Sequence, residues 1–435
     1  MGGRAAVAPA SAVILVFGIG RIEQARFCER GCAAEPVRAT KRAIISLVIR
    51  RLYVHNFRCL ENFELSVSGQ SSVLLIGKNG SGKTTVALVL EILQRIARGT
   101  NRVGDLVKPE SRGRADVPVR FEIEVGIGGK IYEYVIALEL PEGFKELRVL
   151  EEKLAVGGVP AYTRDVAQVN LAVPGPEHGA KPGTDARGKP ISAAALMSGA
   201  ARFRIDWHLV ALPIVQGRSE TDPIFIFKRW LARMLILRPI PALIAGESKQ
   251  KTLEPNIRVT DFAAWFTGLL ASAPAAYAKI DEYLKQVMPD LKDIQNPVIG
   301  KDSQNLAVRF SNEQGTLSVP FEDLSDGEKC FMICAVVLAA NEAYGPLLCF
   351  WDEPDNYLAL DEVGHFVLAL RQAFQSGGQF IATSHNPEAI RRFSSENTLL
   401  LHRRNHLEPT QVRRLDQLDV HGDLVGALIR GDVQP

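Results

Sequence analysis

The chain has 435 residues, 46% hydrophobic and 23% charged, a balance that fits a globular protein and excludes a disordered or fibrous one. Its 51 basic and 49 acidic residues leave a formal charge of +2, which neither requires nor excludes a nucleic-acid partner. Six cysteines in this length do not make a disulfide framework, and no run approaches the roughly 18 apolar residues that suggest a membrane span.

Residues 1–43 read as a leader without a packed core. Residues 11–19 are apolar and lie between Arg4 and Arg21, yet no small-residue cleavage site comes after them. Cys28 and Cys32 lack a second Cys or His pair at zinc spacing. Residues 44–56 and 62–67 alternate as paired strands, and 72–76 is a short continuous apolar run, as in a strand buried on both faces. A glycine-rich turn leads into a helix over 84–98. Residues 117–140 alternate again, with the turn at Gly126 to Gly129, as an antiparallel hairpin. The Gly-, Pro- and Ala-rich stretch 141–190 reads as loop, and 224–237 and 259–288 as helices. Residues 306–310 and 316–321 form another hairpin. From 330 onward, helices (330–343, 361–374, 388–393) alternate with strands (347–351, 379–383, 398–402), which predicts a mainly parallel sheet.

Four motifs punctuate this order. Gly77, Lys78, Asn79, Gly80, Ser81, Gly82, Lys83 and Thr84 fill the pattern G-x4-G-K-[ST] between a buried strand and an amphipathic helix. Glycines let the backbone wrap an anion with its N–H groups inward, and the helix adds the positive end of its dipole. Lys83 would meet the β and γ phosphates of ATP, and the Thr84 hydroxyl would hold Mg²⁺. Residues 347–353 form an apolar strand ending in Asp352 and Glu353, at the edge where open α/β sheets bind ligands. Asp352 is the second metal candidate, and Glu353 the group that would orient or deprotonate the attacking water. Leu324, Ser325, Asp326, Gly327 and Glu328 open a helix with a second anion-binding start, best explained by a partner subunit capping the γ-phosphate. Thr383, Ser384 and His385 end a buried strand, and His385 would stand beside that phosphate.

Taken in order, the P-loop, the LSDGE signature, FWDEP and TSH resemble the ABC ATPase class. They are more narrowly similar to the RecF/SMC/OLD-related ATPases called AAA-type ATP-binding domain 21, as is the opening VHNFRCLENFELSV before LLIGKNGSGKTT. The resemblance spans roughly residues 44–415. It implies an α/β P-loop head with a mainly parallel sheet, an antiparallel β-subdomain and an inserted helical lobe, two of which sandwich two ATP molecules as a homodimer. It further implies Asn79, Gly80, Ser81, Gly82, Lys83, Thr84 and Thr85 as nucleotide ligands, with Arg58 near the base or phosphates. Ser325, Gly327 and Glu328 would act in trans, and Ala359, Leu360 and Asp361 would form an interface loop. Many relatives carry Leu-His-Pro where Leu358, Ala359 and Leu360 stand here, which weakens the case for Asp361. For the glutamine loop of the class, Gln168 and Gln216 are candidates without spacing support.

The expected organisation is therefore a leader (1–43), a first half of the head (44–140), an inserted loop and helical lobe (141–304), a second half of the head (305–415) and a tail (416–435). The expected activity is ATP hydrolysis in the cytoplasm, driving a switch in DNA-related or anti-phage defence processes. DNA or a separate effector protein are the candidate partners, with no membrane. Two other classes stay open: the ATPase subunit of a membrane transporter, against which the LSDGE form and the long P-loop-to-signature distance speak, and a nucleotide-sensing scaffold. A nuclease effector would need an Asp-x-Asp motif, and Asp416-Gln417-Leu418-Asp419 is not one.

Overall fold

A computed structural model of the chain describes residues 48–172, 201–418 and 425–427. The leader, with Cys28 and Cys32, and most of the tail lie outside the described residues. Strands β1 (Val48–His55) and β2 (Phe63–Ser66) pair antiparallel, while β3 (Ser72–Ile76) leaves for a second sheet. The first sheet continues through β4 (Val119–Ile127), β5 (Lys130–Glu139), β6 (Arg148–Val156), β7 (Val159–Asp165), β8 (Gln168–Leu171) and β9 (Ala201–Arg204). Its order is β2-β1-β4-β5-β6-β7-β8-β9. In β4 every second residue, from Val119 through Phe121, Ile123 and Val125 to Ile127, is buried, which is the period of two that a one-sided strand requires.

The second sheet has six strands in the order β10-β17-β18-β3-β19-β20: β10 (Leu235–Leu237), β17 (Leu348–Trp351), β18 (Gln379–Thr383), β3, β19 (Thr398–His402) and β20 (Gln411–Arg414). All its pairings are parallel except β19 with β20. Strands β10, β17, β18 and β3 are buried on both faces, as their mostly apolar sequences require, while the edge strand β20 is not. Val73 and Leu75 face one core, shared with the first sheet and helices α1 (Lys83–Ala97) and α2 (Val103–Leu106), while Leu74 and Ile76 face the other. That second core holds α4 (Phe262–Ser272), α5 (Ala276–Val287), α6 (Asp326–Tyr344) and α7 (Leu360–Gln375). Helix α6 is buried from Lys329 to Asn341 because helices cover it on either side. Two three-stranded sheets flank this core: β11 (Glu247–Ser248) with β13 (Val298–Ile299) and β14 (Ser303–Asn305), and β12 (Leu291–Gln295) with β15 (Ala307–Asn312) and β16 (Gly315–Pro320).

One buried amide joins the two large sheets. Gln379, at the start of β18, accepts from the Ile49 N–H (2.9 Å) and donates to the carbonyls of Ile49 (3.2 Å) and Gln70 (3.0 Å). The strand that ends in Thr383 is thus pinned at its other end to β1.

Three strands stand within 148–171, where loop was expected over 141–190. β6, β7 and β8 extend the antiparallel sheet beyond residue 140, the boundary drawn from sequence. Their alternation is disguised because two inward positions are charged. Glu152 and Arg164 are fully buried and face each other, with the Glu152 carboxylate also accepting from Tyr134 (3.0 Å), Tyr162 (2.8 Å) and the N–H groups of Ala211 (2.7 Å) and Leu212 (2.8 Å). The helix expected over 224–237 also stops early. Asp222 caps α3 (Pro223–Ala232) through the Ile224 N–H (2.8 Å), and Leu235–Leu237 becomes β10 against β17. Helix 259–288 divides into α4 and α5 around Pro274.

Candidate functional site

The carboxyl ends of β3, β17, β18 and β10 converge on one place. After β3 the chain turns through residues 77–82 and enters α1 at Lys83. A Cβ on Gly77 would lie 2.2 Å from the Leu401 carbonyl oxygen, and Gly82 has φ of 101°, so both positions demand glycine. The Lys83 ammonium lies back across the turn and donates to the carbonyls of Gly77 (2.8 Å) and Lys78 (3.3 Å). Burial lowers its pKa, with the negative charges of Glu353 and Asp352 opposing the shift. An anion placed here would stabilise the buried ammonium. The Ser81 hydroxyl beside it is buried without a hydrogen-bond partner.

Asp352 and Glu353 leave β17 facing this turn. The Thr84 hydroxyl donates to Asp352 Oδ2 (3.1 Å), and the Thr383 hydroxyl donates to Oδ1 (2.6 Å). Glu353 sits in the left-handed region, φ 52°, a conformation costing about 1–3 kcal/mol in a non-glycine residue. Its N–H donates to Thr383 Oγ1 (2.9 Å), and its carboxylate accepts from Asn356 (2.6 Å) and stands 3.6 Å from His385 Nε2. Strained backbone and two tethers hold the carboxylate at the mouth of the site. Asp355, buried behind it, accepts from Ser384 (2.7 Å), and burial pushes its pKa up.

Burial, then the charge of Lys83, lowers the His385 pKa below its ordinary 6.5, against the pull of Glu353 and Asp352. The shift favours the neutral imidazole in the free protein. Replacing Lys83 with Met removes a repelling charge and is expected to raise the His385 titration midpoint, read by NMR. A midpoint that stays put or falls would show that Lys83 does not act on this ring.

A cavity of about 460 Å³ is lined by Arg58, Cys59, Asn79, Gly80, Gly82, Lys83, Thr84, Thr85, Glu353 and Arg403. Arg58 is among the lining residues, its guanidinium 5.8 Å from the Phe57 ring centre and its backbone N–H on the Ser111 carbonyl (2.7 Å). Arg403 belongs to a locally basic C-terminal stretch and lies in none of the four motifs. It arrives on the β19–β20 turn, which is bound to the P-loop because the Thr410 hydroxyl donates to the Ser81 carbonyl (2.9 Å) and the Thr410 N–H to that of Cys59 (2.9 Å).

Ser325, Gly327 and Glu328 do not line this cavity. Ser325 and Glu328 close a capping box at the start of α6: the Glu328 N–H donates to Ser325 Oγ (3.3 Å) and the Ser325 N–H to the Glu328 carboxylate (2.7 Å). Ser325 is exposed, and a Cβ on Gly327 would lie 3.1 Å from the Tyr357 carbonyl, so this helix start leans on the turn after Glu353. Leu360 and Asp361 are exposed beside it. Neither Gln168, in β8, nor the exposed Gln216 lines the cavity.

ATP and Mg²⁺ fit the residues present. The ammonium of Lys83 and the unpartnered Ser81 hydroxyl suit phosphate oxygens, and Thr84 Oγ1 with Asp352 Oδ2 offers the hard oxygen pair that Mg²⁺ prefers. Among the described residues no cluster of three or more His, Cys, Asp or Glu side chains forms a further metal site, and no helix is long and apolar enough to cross a membrane.

A P-loop turn after a central parallel strand, with an acidic pair at the end of β17, one strand removed from it beyond β18, defines the class: this is a P-loop NTPase. Within that class the chain belongs to the AAA_21 family, "AAA domain, putative AbiEii toxin, Type IV TA system", whose model matches residues 72–391. Similar solved structures include an SMC head bound to the C-winged helix domain of ScpA, at 13% identity and TM-score 0.46, covering 85% of this chain and 98% of that one. The SMC head domain from Thermotoga maritima aligns at 12% identity and TM-score 0.39, covering 84% and 98%. The Pyrococcus furiosus SMC head with an extended coiled coil, bound to the C-terminal domain of ScpA, aligns at 12% and 0.41, covering 85% and 97%. No curated protein matches the sequence.

Proposed function

We propose that the chain binds and hydrolyses Mg-ATP, that two copies close head to head around two nucleotides, and that this cycle is a switch read by a partner. The observation that carries the reading is the meeting of Thr84 Oγ1 with Asp352 Oδ2 at 3.1 Å, from residues 268 apart in sequence. That contact supports a single Mg²⁺ position shared by the two metal candidates. Bound Mg²⁺ would there neutralise charge on the phosphate oxygens. Lys83 and the turn amides hold the β and γ phosphates, and Glu353 takes the proton of a water as its oxygen bonds to the γ-phosphorus. The bond to the β–γ bridging oxygen breaks, its electron pair leaves with ADP, and inorganic phosphate is released. Neutral His385, within reach of Glu353, orients that water.

Dimerisation is supported by the exposed signature. Tyr357 and Leu360 stand 42% and 69% exposed beside Ser325, an apolar rim that a second copy would cover. The family's description as a TA-system toxin supports a defence role more than a transport role, with DNA or a separate effector as the partner that reads the switch.

The test tracks molecular mass and phosphate release together, with and without linear double-stranded DNA. Slow turnover and a doubling of mass in ATP but not in ADP are expected. Acceleration by DNA would assign the switch to DNA, and an ATP-dependent dimer indifferent to DNA would assign it to a protein partner. A chain that stays monomeric and inert in Mg-ATP would sink the reading.

A further inference from the structure

Strand β10 is three residues long, and its pairing fixes where the chain leaves the sheet. Leu237 lies opposite Trp351 in parallel register, so residues 238 and 352 depart side by side at the carboxyl edge. The Asp352 N–H donates to the Leu237 carbonyl (2.8 Å), and the Arg238 N–H donates to that of Ile257 (2.6 Å). Beyond Arg238 the chain is stiffened by Pro239 and Pro241, and the buried Lys329 of α6 donates to the carbonyls of Pro241 (3.3 Å) and Glu322 (2.9 Å). The backbone of Arg238 is therefore fixed while its side chain remains 60% exposed.

That side chain reaches one acid among the described residues. Arg238 Nε lies 3.7 Å from Asp352 Oδ2, the same oxygen that accepts from Thr84 Oγ1. One carboxylate oxygen does not serve a guanidinium and a metal equally, because two cations a few ångströms apart repel each other. A guanidinium released from Asp352 is a planar fork suited to a phosphate.

We propose that Arg238 is the mobile cation of the site: it pairs with Asp352 in the absence of metal, and it turns to the terminal phosphate of ATP once Asp352 exchanges it for Mg²⁺. The inference rests on the reading of the site as a Mg-ATP site. It makes Arg238 a sensor of the γ-phosphate supplied in cis, on a segment tied through Lys329 to the start of the signature helix. The charge that builds on the terminal phosphate during hydrolysis is then met by Arg238 as well as by Lys83.

The experiment compares wild type with Arg238→Ala and Arg238→Lys, using fluorescent ADP and a non-hydrolysable ATP analogue over a Mg²⁺ titration, and ATP turnover separately. In Arg238→Ala the Mg²⁺ midpoint for ADP binding is expected to fall about threefold, since a competitor of modest strength is removed. The preference for the ATP analogue over ADP is expected to fall about tenfold or more, and turnover about 100-fold or more. Arg238→Lys is expected to restore the Mg²⁺ midpoint but not the turnover, because an ammonium has no fork. Thermal unfolding without nucleotide guards against a folding defect. An unchanged Mg²⁺ midpoint with ADP, or an unchanged ATP-over-ADP preference, overturns the proposal even if turnover slows. A folded wild type that binds neither nucleotide would instead defeat the reading on which the proposal rests.

Discussion

Glu353→Gln is expected to bind ATP as tightly as wild type, within a few fold, and to turn it over about 10²- to 10⁴-fold more slowly, the usual contribution of a positioned general base. The substitution keeps the size of the side chain and changes what it does to a water proton. Its carboxylate accepts from Asn356 and stands 3.6 Å from the His385 imidazole, so the amide retains hydrogen-bonding partners, and the Thr383 hydroxyl still holds the strained backbone. Folding is therefore spared while the proton acceptor is lost. Single-turnover phosphate release gives the rate, and mass in ATP reports whether the closed dimer accumulates. Wild-type turnover by Glu353→Gln would hand the base to another group and remove the role assigned to this residue. Lys83→Met separates the two functions from the other side: it is expected to lose nucleotide binding itself, because the buried ammonium is the point charge at the centre of the turn.

Glu152→Gln, far from the chemistry, is expected to destabilise the fold by about 3–5 kcal/mol, the cost of leaving one partner of a buried ion pair uncompensated. Glu152 and Arg164 are both fully buried. The carboxylate accepts two phenolic hydroxyls and two backbone N–H groups, and an amide would turn two of its own hydrogens toward those donors. Arg164 is equally committed: its guanidinium donates to the backbone carbonyls of Val166, Leu209 and Asp206. The pair thus clamps residues 206–212, the chain's exit from the antiparallel sheet, onto β6 and β7. Burial drives the phenols of Tyr134 and Tyr162 far above their ordinary pKa, so they remain hydrogen-bond donors across the accessible pH range. Equilibrium denaturation gives the size of the effect. Limited proteolysis locates it, with cleavage first expected within 206–212. A denaturation midpoint unmoved by Glu152→Gln would show that the pair contributes nothing net.

The local structure of the P-loop was legible residue by residue. Its turn, its lysine and the strand before it are a contiguous stretch, and the requirement for glycine at residues 77 and 82 is a local matter of φ and close approach. The acidic pair and Thr383-Ser384-His385 were legible for the same reason, as ends of apolar runs. Arg58 was placed by resemblance, and the cavity includes it. The places of Arg403 and Arg238 were not legible, one on a hairpin turn and the other just past a stretch read as helix.

The sequence by itself determined where the glycine-rich turn falls and which strands are buried on one face or two, because glycine geometry and side-chain period are properties of neighbouring residues. Tertiary structure alone decided that Leu235–Leu237 is a strand, since three apolar residues carry no period and only pairing with β17 distinguishes strand from helix. It decided that 148–171 is sheet, because Glu152 and Arg164 neutralise each other at inward positions where the pattern calls for apolar side chains. It also brought Arg238 to Asp352 across 114 residues (352 − 238) and Arg403 to Lys83 across 320 (403 − 83). Contacts closed over such lengths depend on which strands pair, and nothing in the local pattern around an arginine records that choice.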